Sequence, residues 1–96
     1  MKKAAGHKKV PARRAVVVGA GFFGATVAER LANSLGWKVL LLEKRRHLGG
    51  NSFSEPDKAT GIEIHRYGSH IFHTRHTEVW SYVNKFSSFN AYRHVV

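Results

Sequence analysis

Val16–Gly24 reads VVVGAGFFG, and the order of those nine residues decides the fold. Ala15–Val18 is a short, continuously apolar run, as expected of a parallel strand buried on both faces. Gly19 permits the tight turn that must follow, and Gly21 lets the backbone approach a pyrophosphate. Gly24 lets the next helix lie close to the sheet. The free N–H groups at the start of that helix, near Phe22, and its positive dipole end favour anionic phosphates.

Outward from this turn, the sequence predicts a helix from about Phe22 to Leu35. Phe23, Val27 and Leu31 form an apolar stripe on it, and Gly24, Ala28 and Ala32 form a small-residue face. Gly36 stands where a helix end takes a left-handed residue, and Trp37–Leu42 reads as a second apolar strand. That strand delivers Glu43, nineteen residues after Gly24, to a position where a carboxylate can accept both ribose hydroxyls. A lone G-x-G-x-x-G is a weak signal. In strand–turn–helix–strand context, with an acid at this distance, it is a strong one. The reading is an α/β fold: a Rossmann-like βαβ dinucleotide-binding unit.

Glu43–Ser54, EKRRHLGGNSFS, is a charged, glycine-containing loop. Glu43 argues against NADP, because a carboxylate repels a 2′-phosphate, although Arg45 or Arg46 can offset that. An acid, five residues and then Gly49–Gly50 is the extension found in many FAD-binding folds, where the chain passes close to the cofactor again. Pro56–Gly61 reads as a turn or an exposed insertion, and Ile62–His65 alternates at period two, as a half-exposed strand does. Thr74 is the expected N-cap of a helix over roughly Arg75–Phe86, with Val79, Tyr82, Val83 and Phe86 on one face. Phe89–Val96 reads as a strand that stops in mid-course. The βαβ unit is thus incomplete, with a following strand and helix, and the chain reads as the N-terminal piece of a larger protein.

Three stretches together, GAGFFG, LEKRRHLGGN and TGIEIHRYGSHIFHT, resemble the start of bacterial UDP-galactopyranose mutase. WSYVNKFSSFN fits as well, so that the resemblance runs from about Arg14 to Val96, and YGSHIFHT at Tyr67–Thr74 is its most specific part. The resemblance implies an isomerase that interconverts UDP-galactopyranose and UDP-galactofuranose for cell-surface polysaccharide; the basic N-terminus lacks an apolar signal run, so the cytoplasm is the expected compartment. It implies reduced FAD as cofactor and a flavin N5–sugar adduct as the route. For cofactor binding it points to Gly19, Gly21, Phe22, Gly24, Glu43, Lys44, Gly50, Asn51, His70 and Ile71, and for substrate binding to His94. The partner it implies is a UDP-galactose-type sugar nucleotide. The family's principal substrate residues would lie downstream, so no catalytic residue is expected in this piece, and alone it should be inactive.

Composition limits the alternatives. The chain has 96 residues, no Cys and a net charge of +10, which rules out a disulfide framework. No run approaches the ~20 apolar residues that span a bilayer, so no membrane partner is expected. Met1–Arg14 holds six Lys/Arg and no acid, which divides the chain into a basic flexible tail, 1–13, and an FAD-binding portion, 14–96. The tail lacks the interleaved aromatics of a single-strand binder, so nucleic acid is not the expected partner. Exposed sheet edges make a homo-oligomer an open expectation. His70, His73 and His76 at three-residue spacing are read as no metal site, because too few further ligands stand near them. Two other readings stay in play: a piece of an amine-oxidase-like flavoprotein, against which Tyr67–Thr74 speaks, and a non-catalytic basic binding module.

Overall fold

The computed structural model describes Pro11, residues 13–93 and Val95. Strand β1 (Arg14–Val18) leads through the glycine turn into helix α1 (Phe22–Leu35), which returns the chain to β2 (Lys38–Leu42). The strands are parallel and in register from Arg14 opposite Lys38 to Val18 opposite Leu42. Parallel neighbours cannot be joined by a tight turn, so the helix is the crossover. The βαβ unit is therefore present with nearly the expected bounds.

One detail of α1 differs from the sequence reading. Its sheet-facing stripe is Gly24, Val27, Ala28 and Leu31, at i, i+3, i+4 and i+7, whereas Phe23 is 85% exposed. The stripe is set by Gly24, whose missing side chain allows the first turn to press onto the strand end. A Cβ there would stand 1.8 Å from the Gly19 carbonyl oxygen. At the other end Gly36, at φ 69°, closes the helix as expected: its N–H donates to Ala32 O, and the Trp37 N–H donates to Leu31 O.

Beyond β2, a short 3-10 turn at Gly50–Ser52 precedes β3 (Ser54–Pro56), which pairs antiparallel with β4 (Glu63–His65). β4 was expected; β3 was not, because Pro56 and Asp57 mark a turn. The proline is compatible with the strand because it stands at its last position, on a two-stranded sheet. An Arg66–Glu55 ion pair links the two strands of this hairpin.

Helix α2 spans Thr77–Val83, shorter than expected at both ends. His76, not Thr74, is its N-cap; the Thr74 hydroxyl instead accepts the His76 N–H at 3.1 Å, forming a turn before the helix. The chain leaves the helix through Lys85 and Phe86, whose N–H groups donate to Tyr82 O and Val83 O. The strand expected at Phe89–Val96 is not found among the described residues. A strand needs a ladder partner, and Phe89 instead packs its ring against Phe72 and Trp80. The basic tail, apart from Pro11 and Arg13, lies outside the described residues, as does His94.

Little of this is closed off from water. Ala20, 2% exposed, is the single buried apolar side chain among the described residues. On the sheet, Val16 and Val18 remain 62% and 81% exposed, so one layer of helix covers the strands on one side only.

Candidate dinucleotide site

The site forms where the glycine turn meets the Gly49–Gly50 loop. The Gly49 N–H donates to Ala20 O at 2.8 Å and ties the loop to the turn. A Cβ on Gly50, itself at φ 59°, would stand 2.9 Å from Gly21 Cα. Gly50 thus has a reason to be glycine that the sequence reading did not supply: it crosses another backbone at close range.

Beside this crossing lies an open cleft of about 310 Å³ lined by Gly21, Phe22, Gly49, Asn51, Ser52 and His70. It faces the first turn of α1, which has no side-chain cap and no acidic residue. The helix's leading N–H groups are therefore left for an anion, and the dipole adds attraction. These features fit the diphosphate of a dinucleotide: uncapped donors, backbone crossing without side chains, and a groove beside them.

Glu43 is held at the mouth of the two strands. Its Oε1 accepts the Ala20 N–H at 2.9 Å, and its Oε2 accepts the Arg45 N–H at 2.7 Å. Those two backbone donors, Ala20 first, hold its carboxyl below the usual carboxylate range, so it is ionised at neutral pH. Each oxygen keeps a lone pair for a hydroxyl. The Arg45 guanidinium is turned elsewhere: its carbon lies 4.2 Å from the Tyr67 ring centre, and Nη1 donates to Asn51 Oδ1 at 3.0 Å. Any offset of the repulsion between Glu43 and a 2′-phosphate thus falls to Arg46, which is exposed.

Of the residues named from the sequence, Gly21, Phe22, Asn51 and His70 line the cleft, while Gly50 lies next to it at the Gly21 crossing. Gly19 and Gly24 shape the turn from behind, and Lys44 is exposed beside Glu43. Ile71 is not brought into the cleft and is 55% exposed. His70 is steadied by stacking on His65, with ring centres 4.2 Å apart, and by its own N–H donating to His65 Nδ1. Among the described residues, no group of three His, Cys, Asp or Glu side chains gathers as a metal ion would need. Ser52 went unnoticed in the sequence because nothing marks a serine that turns its hydroxyl back onto Gly49 O, at 2.6 Å. The sequence periodicity places Tyr82 on an apolar face, yet its hydroxyl donates to Glu29 Oε1 at 2.6 Å and joins α2 to α1.

The comparisons agree with this geometry. Residues 17–86 match the family model for an NAD(P)-binding Rossmann-like domain. The chain is 46% identical over 79 residues to a dTDP-fucopyranose mutase of Escherichia coli, covering 82% of this chain and 21% of that protein. It is 44% identical over 81 residues to a UDP-galactopyranose mutase of Mycoplasma pneumoniae, covering 84% and 20%. An (S)-6-hydroxynicotine oxidase of Paenarthrobacter nicotinovorans is 33% identical over 88 residues, with 83% and 20% covered. The chain spans about a fifth of the length of these relatives. The resemblance to UDP-galactopyranose mutase read from the three motifs holds along the matched stretch. No helix among the described residues is long and apolar enough to cross a membrane. With its glycine turn, crossover helix and strand-end acid in place, the chain belongs to the NAD(P)-binding Rossmann-like domain family.

Proposed function

We propose that this chain is the FAD-binding segment of a flavin-dependent mutase that interconverts UDP-galactopyranose and UDP-galactofuranose. The observation that carries the reading is the crossing of Gly50 over Gly21 beside an uncapped helix, with His70 at the same cleft. A Rossmann turn alone would serve NAD equally well. The second backbone passage and the His70 segment distinguish the FAD reading, and the two sugar-nucleotide mutases matched over some four-fifths of the chain favour the mutase.

In this reading the first turn of α1 and the Gly21 and Phe22 backbone bind the diphosphate, and Glu43 orients the adenosine ribose. Asn51 and His70, which line the same cleft, would hold the cofactor there, Asn51 through its amide and His70 beside the ring system. FAD, when bound and reduced, supplies the nucleophilic chemistry toward the sugar; the chain's own part is binding and orientation. The sugar nucleotide itself would be held mainly by residues outside this chain, with His94 a candidate contact within it.

The oxidase match keeps one other reading open, an amine-oxidising flavoprotein segment. Mixing the chain with dithionite-reduced FAD and UDP-galactofuranose, with chromatography of the sugar nucleotides, tests the assignment. FAD retained by the chain with no interconversion is the expected result. Turnover by the chain alone would overturn its inactivity. Absence of FAD binding, with NAD bound instead, would overturn the flavin reading.

A further inference from the structure

Asn51 lines the cleft, and the orientation of its amide decides what it can offer a ligand. Its Oδ1 is engaged, accepting from Arg45 Nη1 at 3.0 Å, so the end left for the cleft is the donating NH2. Arg45 is in turn fixed from two sides. Its backbone N–H is held by Glu43 Oε2, and its guanidinium lies over the Tyr67 ring at 4.2 Å. Tyr67 is itself held: its hydroxyl lies 2.6 Å from His47 Nε2. His47 Nδ1 is 3.0 Å from Leu48 O, an acceptor, so this nitrogen carries a proton; in the neutral ring Nε2 then accepts from Tyr67. The imidazole stacks on Phe53, with ring centres 3.8 Å apart and planes 12° from parallel. A continuous line of contacts thus runs from Phe53 through His47, Tyr67 and Arg45 to Asn51.

We propose that Arg45 is a positioning residue of the dinucleotide site: seated on Tyr67, it turns Asn51 so that its amide N–H groups face the acceptor oxygens of the bound dinucleotide. The role rests on the FAD reading above and adds to it a residue that touches no ligand. Lysine could not replace it, because a point-like ammonium neither lies flat on the ring nor holds the fork geometry that the amide oxygen meets. All members of the line are at least partly exposed, so the effect is moderate.

The test is an FAD titration of the wild-type chain, Arg45→Met, Asn51→Ala and the double variant, with circular dichroism of each to confirm folding. Arg45→Met should weaken FAD binding about three- to tenfold, the scale of one cation–π contact plus one hydrogen bond. On the Asn51→Ala background it should change affinity less than about twofold, because the residue it positions is gone. An equal loss on both backgrounds, or no loss, overturns the proposal while leaving the FAD reading intact. If the folded wild-type chain binds no FAD, the FAD reading fails and the positioning role fails with it. Should Arg45→Met fail to fold, Arg45→Lys takes its place, read by NMR without ligand. The Asn51 side-chain NH2 resonances then shift if Arg45 orients the amide; unmoved resonances overturn the proposal.

Discussion

At the scale of single residues, the site depends on what Gly24 lacks and on what the Glu43 carboxylate does. Gly24 has no room for a methyl group, because the crossover helix is pressed onto the turn that precedes it. Gly24→Ala should destabilise the fold by about 1–3 kcal/mol, as overpacking does, visible as a lower midpoint in urea. An unchanged midpoint would show that the helix can lift from the turn without cost. Glu43 ties Ala20 to Arg45 and keeps a lone pair on each oxygen for the ribose. Glu43→Ala should weaken FAD at least about tenfold by fluorescence titration, since hydrogen bonds to a charged group are the stronger ones. Glu43→Gln should keep part of that affinity. Equal affinity in all three chains would remove Glu43 from the site.

At the scale of elements, the two helices are coupled by Glu29. Its carboxylate accepts from Arg30, Tyr82 and Asn33, and those bonds, Arg30 first, hold its pKa at about 2. A carboxyl depressed in the folded state stabilises it above its ordinary pKa, and that contribution is lost as pH falls from about 4.5 towards about 2. Thermal midpoints between pH 2 and 6 should therefore fall less steeply for Glu29→Gln than for the wild type; parallel curves would show that the bonds Glu29 accepts add nothing. None of this coupling was legible in the sequence, where Tyr82 fitted an apolar face. The βαβ unit was legible to within a residue at each end of α1, because strand period, glycine spacing and C-cap glycine all agree there. Agreement broke down where tertiary contacts override local signals. Pro56 closes a strand it was expected to exclude, Thr74 forms a turn and not a cap, and Phe89 joins an aromatic cluster in place of a strand. For the site, glycine and acid positions were readable, while the Arg45–Tyr67–His47 support was not, since residues twenty apart carry no pairing signal.

At the scale of the whole molecule, the exposed sheet dominates. Val16, Val18, Leu40 and Leu42 present apolar surface that one crossover helix does not cover. A chain with so little interior should be marginally stable and should self-associate as its concentration rises. Light scattering across a hundredfold dilution should show the mean mass falling towards that of one chain. A monomer at every concentration, with a sharp melt, would contradict that expectation. The same openness bears on binding: FAD should stabilise the chain, because a ligand that binds only the folded state shifts the balance by mass action. In the proposed function, the crossing of Gly50 over Gly21, at the uncapped start of α1, makes a working half-site for FAD. The most direct measurement is a flavin-fluorescence titration of the wild-type chain against Gly50→Val, with folding of both checked by circular dichroism. Saturable one-to-one binding by the wild type, lost in Gly50→Val, is the predicted result; equal binding by both folded chains, or none by the wild type, would contradict it.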